Sequence, residues 1–159
     1  MSTRHWSAVV LAVVVGMPML TPTVAARAQT VVTTESGATL FRTYCASCHG
    51  ADAQGAPDWQ QPDARGDLPA PPHDDSGHTW RHPDAQLTQI IRDGLRDQFN
   101  KTPELTMPPF GPDQLSDQDI ADVITYFKSL WSLEHRQFQE QQNLHPTAPG
   151  LSPNPAGGG

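Results

Sequence analysis

The sequence predicts an all-α domain, because apolar residues recur at helical spacing and no segment alternates apolar and polar residues as a strand would. The clearest helix begins after Ser116, which can cap it, and Asp119 three positions later completes an acidic variant of the capping box. The apolar residues of this helix share one face. They are Ile120, Val123, Ile124, Phe127 and Trp131. We therefore expect this face to form much of the core.

The first part of the chain predicts a short helix and then a long irregular loop. Residues 29–36 are expected to be an extended lead-in, followed by a helix over residues 37–45. The apolar side of that helix comprises Leu40, Phe41 and Tyr44. Residues 51–72 carry five prolines and two glycines, so regular structure is not expected there. Loops of this length in small domains are usually functional or disordered.

The second part predicts a helix over roughly residues 84–93, ended by Gly94. Together with the helix that begins after Ser116, this helix completes a domain expected to span residues 37–131. Residues 132–145 form an expected C-terminal helical extension, in which Ser132 can cap a short helix running through Phe138. Residues 146–159 are rich in proline and glycine and are expected to be a disordered tail.

The N-terminus has the residue order of a secretory signal peptide. Arg4 and His5 precede an apolar run over residues 8–17, and small residues follow up to Ala28. The apolar run is shorter than the about 20 residues that a membrane-spanning helix needs. No cysteine near Ala28 offers a lipid attachment point. Residues 1–28 are therefore expected to be a cleaved signal peptide, and the mature protein to be soluble and periplasmic with no membrane anchor.

The charge of the chain constrains its partners. The formal net charge is −7, and removal of residues 1–28 takes away two of the ten basic residues and moves it to −9. An acidic surface argues against nucleic acid as a partner and favours a partner protein with a basic docking face.

Residues 45–50, CASCHG, contain the two cysteines of the chain in a Cys-x-x-Cys arrangement followed directly by His49. A thioredoxin-like dithiol needs a βαβ context, and no strand precedes Cys45. A structural zinc site needs further paired ligands, and a Cys45–Cys48 disulfide would close a very small loop and stabilise little. Cys-x-x-Cys-His is the attachment signature of c-type haem. We expect Cys45 and Cys48 to form thioethers with one haem, and His49 to be an axial ligand of its iron.

Met107 is the candidate for the second axial ligand. It is the only methionine after residue 28, 58 residues beyond His49, and Pro108 and Pro109 follow it. Methionine opposite histidine is a common ligand pair in cytochromes c and raises the reduction potential. Two prolines stiffen the segment and lower the entropy cost of holding the sulfur at iron. The alternative is that Met107 simply fills the core, as methionine often does.

Two segments together resemble the class I (mitochondrial-type) bacterial monohaem cytochromes c, and the resemblance covers about residues 36–131. The segments are GATLFRTYCASCHG and TMPPFGPDQLSDQDIADVITYFKSLW. The resemblance implies that the first and last helices cross, with Gly37 and Phe41 meeting Val123 and Tyr126. It implies a helical domain wrapped around one covalently bound haem c, which acts as a single-electron carrier and not as an enzyme. Its donor and acceptor would be other redox proteins.

Residues 71–84, PPHDDSGHTWRHPD, belong to an insertion that departs from this family pattern. His73, His78 and His82 could form a second site for copper or zinc, or one of them could compete with Met107 for iron. The alternative is a loop packed over the haem edge, where Trp80, Arg81 and one of the histidines could contact the propionates and exclude water. Similar phrases occur in a subgroup of the periplasmic cytochromes that the chain resembles, which favours the second interpretation. Outside the insertion, two histidines are expected to be exposed without partners, namely His135 and His145.

Three other functions remain open at the level of sequence. A labile ligand in place of Met107 would make the protein a haem-based sensor or enzyme. A copper-binding histidine loop, residues 73–82, would make it a copper-handling cytochrome. The chain could also be a subunit or partner of an oxidoreductase complex.

Overall fold

The computed structural model describes the backbone of residues 23–145 and the side chains of residues 33–145. Within this part the chain forms helices α1 (Thr23–Tyr44), α2 (Ala46–His49), α3 (Asp84–Asp93), α4 (Asp117–Ser129) and α5 (Leu133–Leu144), with one 3₁₀ turn at Thr79–Arg81. The described residues contain no strand, only one isolated antiparallel bridge between Leu95 and Met107. The predicted all-α class is confirmed. Most of the predicted signal peptide, and the predicted tail, lie outside the described residues.

Helix α1 begins earlier than the sequence suggested, so the prediction of an extended lead-in over residues 29–36 is wrong. The valines and threonines of this segment favour strands, but the described residues offer them no neighbouring strand. No proline or glycine interrupts the chain between residues 23 and 36, so the helix continues through them.

The crossing of α1 and α4 is the centre of the fold. A Cβ atom on Gly37 would lie 2.0 Å from the carbonyl oxygen of Asp122 and 3.0 Å from the Cβ of Tyr126, so only glycine permits this approach. One turn later, Phe41 is fully buried and its ring packs 5.4 Å from the ring of Tyr126. The predicted helix crossing is thereby confirmed, with Val123 buried in the same core.

Helix α4 starts at the predicted capping box. The Ser116 side chain accepts from the Asp119 amide, and the Asp119 carboxylate accepts from the Ser116 amide at 2.9 Å. The apolar face predicted for this helix is buried in full, including Trp131 just beyond its end. Helix α3 adds Leu87 and Ile91 to the core. The capping and periodicity of the sequence therefore place both helices correctly.

Helix α5 is the predicted C-terminal extension, and it is longer than expected. The Ser132 hydroxyl accepts from the His135 amide at 3.3 Å, as predicted for a cap, and the helix continues to Leu144. Gln139 is buried and its side-chain amide donates to the carboxylate of Asp84 at 2.7 Å and to the carbonyl of His82 at 3.2 Å. Helix α5 is thus attached to the segment that carries the three histidines.

The predicted irregular loop is confirmed, since residues 51–72 contain neither helix nor strand. Backbone hydrogen bonds nevertheless fold it back on the Cys-x-x-Cys-His turn. The amides of Gly55, Ala56 and His73 donate to the carbonyls of His49, Ala70 and Ala53. Among the described helices, none is both long and apolar enough to cross a membrane.

Candidate haem site

The two cysteines and His49 lie on one turn at the junction of α1 and α2. The amides of Cys48 and His49 donate to the carbonyl of Cys45 at 3.1 and 3.0 Å, so the turn is helical. Both cysteines are free thiols, Cys45 buried and Cys48 exposed. Burial, and secondarily the neighbouring Cys48, raise the pKa of the Cys45 thiol to about 11. A redox-active dithiol needs a thiol with a lowered pKa, and burial shifts the pKa of Cys45 in the opposite direction.

His49 is buried, and its imidazole has a defined tautomer. Its Nδ1 lies 2.8 Å from the carbonyl oxygen of Pro71. A carbonyl oxygen only accepts, so Nδ1 carries the proton and Nε2 keeps its lone pair. Burial lowers the pKa of His49, while the bond to Pro71 opposes that shift. The result is a neutral imidazole with one nitrogen available for a metal.

This donor set fits a covalently bound haem. A ligating histidine usually donates its other ring N–H to a carbonyl or carboxylate, which fixes the tautomer and the ring orientation. His49 has this bond, and two free thiols lie within the same turn. Cys45, Cys48 and His49 are therefore the residues that would hold the haem.

Met107 lies outside the helices and is held by its backbone. Its amide donates to the Leu95 carbonyl at 3.1 Å, and its carbonyl accepts from the Leu95 amide at 2.9 Å. Gly94 precedes this bridge with a φ of 78°, and a Cβ there would lie 2.7 Å from the Met107 carbonyl oxygen. The Met107 side chain is partly buried against the hydrophobic core. This contact is compatible with both predicted roles, the axial ligand and the core filler.

The three histidines of the insertion do not converge. His73 lies against His49, with ring centroids 4.1 Å apart, whereas His78 stacks on Trp59 at 5.4 Å and meets the edge of His82. Burial is the main cause that lowers the pKa of each of the three. Among the residues that the structure describes, no three His, Cys, Asp or Glu side chains form a group that could hold a metal ion.

Trp80 and Arg81 lie on the 3₁₀ turn, next to α5. The Trp80 indole stacks on the His135 ring at 3.8 Å and 8°, and its N–H donates to the Gly77 carbonyl at 3.0 Å. The exposed Arg81 guanidinium lies 4.8 Å from the centre of the Trp80 ring. Because an indole has a single N–H, Trp80 has no donor left for a propionate. A propionate contact by Arg81 stays a prediction.

His135 differs from its prediction. It was expected to be exposed without a partner, but its Nδ1 donates to the Asp75 carboxylate at 2.7 Å and its ring is covered by Trp80. That prediction is wrong, because the partner lies 60 residues away in the chain and meets His135 only after α5 docks. His145 is exposed, as predicted.

Two features of the site had no strong signal in the sequence. The Pro71 carbonyl that orients His49 is a backbone group, and any residue type could supply it. The sequence predicts His73 as a metal ligand or as part of a loop over the haem edge, and it does not predict the contact with His49. The proline pair at 71 and 72 is the signal that could have suggested a fixed backbone there.

Comparison with known proteins identifies the domain. Residues 32–127 match the family model described as cytochrome c oxidase, cbb3-type, subunit III. The chain belongs to this family. It is a bacterial cytochrome c domain with one covalently bound haem c, and its role is electron transfer.

Two curated relatives show the range of proteins that contain such a domain. The chain is 33% identical over 102 residues to the cbb3-type cytochrome c oxidase subunit FixP of Bradyrhizobium sp. (strain ORS 278), covering 64% of this chain and 31% of that protein. It is 32% identical over 104 residues to the fructose dehydrogenase cytochrome subunit of Gluconobacter japonicus, covering 63% of this chain and 19% of that protein. The chain thus spans less than a third of the length of either relative. No solved structure matches it significantly.

Proposed function

We propose that the protein is an exported single-electron carrier in which Cys45 and Cys48 attach the haem and His49 and Met107 are its axial ligands. The bound haem supplies the site that takes up and releases one electron. The protein buries this group, fixes both ligands and excludes water from them. Methionine ligation and a poorly solvated site both favour the reduced state, so the reduction potential should be positive.

The hydrogen bond from His49 Nδ1 to the Pro71 carbonyl carries this proposal. It leaves Nε2 as the nitrogen that can bind iron, on a buried ring beside two free thiols. For Met107, the support is the backbone bridge to Leu95, which holds the residue in place whether or not its side chain binds anything. A carrier benefits from such fixed ligands, because little has to reorganise when the electron moves.

Location and partners form part of the same proposal. Residues 1–28 would direct export to the periplasm, residues 37–131 would bind the haem, and residues 132–145 would be a C-terminal helical extension of that domain. The two relatives are named as subunits of oxidoreductases. We therefore infer that this chain exchanges electrons with a larger oxidoreductase, as a partner or as a subunit.

Covalent attachment is tested by replacing each cysteine of the matured protein. Cys45→Ala and Cys48→Ala should each lose one thioether, and the double variant should release all haem under denaturing conditions. Mass spectrometry of the denatured chains measures this directly. Haem retained by the denatured double variant would contradict the proposed attachment.

Axial ligation is tested with Met107→Ala, using Leu105→Ala as the matched control. Leu105 is exposed and lies two residues away in the same segment. Met107→Ala should give a high-spin or ligand-open haem, lose the weak far-red band of methionine-bound ferric haem, and lower the reduction potential. Leu105→Ala should leave the spectrum unchanged. Identical spectra for Met107→Ala and the parent protein in both oxidation states would refute ligation by Met107.

A further inference from the structure

His73 lies between His49 and the core. Its ring centroid is 4.1 Å from that of His49, with the two rings tilted by 32°. It also stacks on Phe127 of α4 at 4.3 Å and 21°. The imidazole of His49 is therefore supported by a second flat ring, which itself rests on a buried core residue.

The orientation of His73 is fixed by hydrogen bonds at three atoms. Its amide donates to the Ala53 carbonyl at 2.8 Å, and its carbonyl accepts from the buried Trp131 indole at 2.8 Å. Its Nδ1 lies 2.8 Å from the hydroxyl oxygen of Thr79. That hydroxyl donates to the Pro72 carbonyl at 3.3 Å, so its oxygen accepts from His73. The ring is thus held from its backbone and from its own Nδ1.

This position excludes His73 as the ligand opposite His49 in the arrangement described here. Imidazole nitrogens bind a first-row metal such as zinc at about 2 Å, so two nitrogens on opposite sides of one ion are about 4 Å apart. The ring centres lie farther apart than the nitrogens. A centroid separation of 4.1 Å is therefore too short for iron to lie between the two rings.

We propose that His73 is a positioning residue that fixes the ring plane of His49; this rests on the proposed function, in which His49 binds iron. Rotation of an imidazole about its Cβ–Cγ bond is only weakly restricted by its own side chain. The Pro71 carbonyl holds one edge of the His49 ring, and the His73 ring, tilted by 32° against the His49 ring, further limits its rotation. Groups that contact a metal-ligating histidine tune the metal in this way.

The test compares matured holoprotein variants by proton NMR of the ferric state, in which the hyperfine shifts of the haem methyl groups depend on the orientation of the axial ligands. His73→Ala removes the flat contact and should change the methyl pattern and shift the reduction potential. His73→Phe keeps a flat ring but loses the bond to Thr79, so it should change the methyl pattern less than His73→Ala does. His145→Ala, at an exposed histidine, is the control and should change neither.

A second variant keeps the proposal testable if His73→Ala does not mature. Thr79→Val preserves the size of the side chain but removes the oxygen that holds His73 Nδ1. It should change the methyl pattern in the same sense as His73→Ala, by a smaller amount. A parent-like pattern in Thr79→Val or His73→Ala would overturn the proposal, as would equal changes in His73→Phe and His73→Ala. A His49→Ala variant whose haem spectrum equals that of the parent protein in both oxidation states would instead refute ligation by His49, on which the proposal rests.

Discussion

At the scale of single residues, Gly94 determines where Met107 can lie. Its φ of 78° is in the region that glycine adopts without strain. A Cβ there would lie 2.7 Å from the Met107 carbonyl oxygen and 2.9 Å from the Pro109 nitrogen. The backbone bridge between Leu95 and Met107 depends on this close approach.

Gly94→Ala should therefore displace the segment that carries Met107. The variant combines backbone strain of about 1 kcal/mol or more with a steric clash against backbone atoms, which cannot rotate away. We expect the far-red band of the ferric protein to weaken or disappear, as measured by absorption spectroscopy. Gly111→Ala is the control, because its Cβ would meet its nearest atom at 3.2 Å and no left-handed φ is required. An unchanged far-red band in Gly94→Ala would contradict this account.

The residue scale also shows how far the sequence predicts the site. The spacing within CASCHG is local, so it predicts Cys45, Cys48 and His49 as haem-binding residues without knowledge of the fold. The neighbours of His49 depend on tertiary contacts instead. Pro71 lies 22 residues away, and the contact of His73 with His49 requires the whole intervening loop to fold back.

At the scale of elements, α5 holds the histidine segment against the rest of the domain. Gln139 is its buried anchor, donating to the His82 carbonyl and the Asp84 carboxylate. Gln139→Ala leaves these acceptors without that donor, which should lower the free energy of unfolding by about 1–3 kcal/mol. Gln137→Ala, at an exposed glutamine of the same helix, should change it by less than about 0.5 kcal/mol. Urea unfolding measures both, and equal effects would contradict an anchoring role.

Asp75 makes the attachment of α5 dependent on pH. Its carboxylate accepts from the Ser132 amide at 2.8 Å and from His135 at 2.7 Å, and these bonds lower its pKa below the ordinary 3.8. A group with a lowered folded-state pKa contributes stability above its unfolded pKa and loses it as the pH falls through the folded value. Asp75 should therefore stabilise the protein fully above pH 3.8 and progressively less below it.

Asp75→Asn isolates this contribution. The variant should be less stable than the parent protein near neutral pH, and the difference should shrink as the pH is lowered below 3.8. Urea unfolding over a series of pH values measures the difference. A difference that stays constant or grows in acid would show that the charge of Asp75 does not hold α5.

The elements also differ in how well the sequence predicted them. Helices α3 and α4 have both an apolar face and a terminating or capping residue, and the predicted bounds of α3 and the predicted start of α4 agree with the structure. The start of α1 was not predicted, because its valines and threonines favour strands and the sequence does not show whether a neighbouring strand is present. The full length of α5 was not predicted, because the end of this helix is attached to the domain by the polar side chain of Gln139. A polar contact produces no apolar periodicity in the sequence.

At the scale of the whole molecule, charge governs encounter with a partner. The formal net charge is −7, and −9 without residues 1–28. Electron transfer to a basic partner protein should slow as ionic strength rises, because salt screens the attraction between exposed charges. Stopped-flow kinetics over a salt series measures this, with an uncharged small-molecule oxidant as the control that should show little dependence. Rates with the basic protein that do not fall with added salt would contradict steering by this surface.

The absorption spectrum of the matured protein, oxidised and reduced, is the decisive test of axial ligation by His49 and Met107. We expect a low-spin c-type spectrum with the weak far-red band of ferric haem bound by methionine sulfur. That result would support both His49 and Met107 as ligands of a haem that carries electrons. A c-type spectrum that lacks the band, or a high-spin spectrum, would contradict ligation by Met107 and favour an open iron site with a catalytic or sensing role.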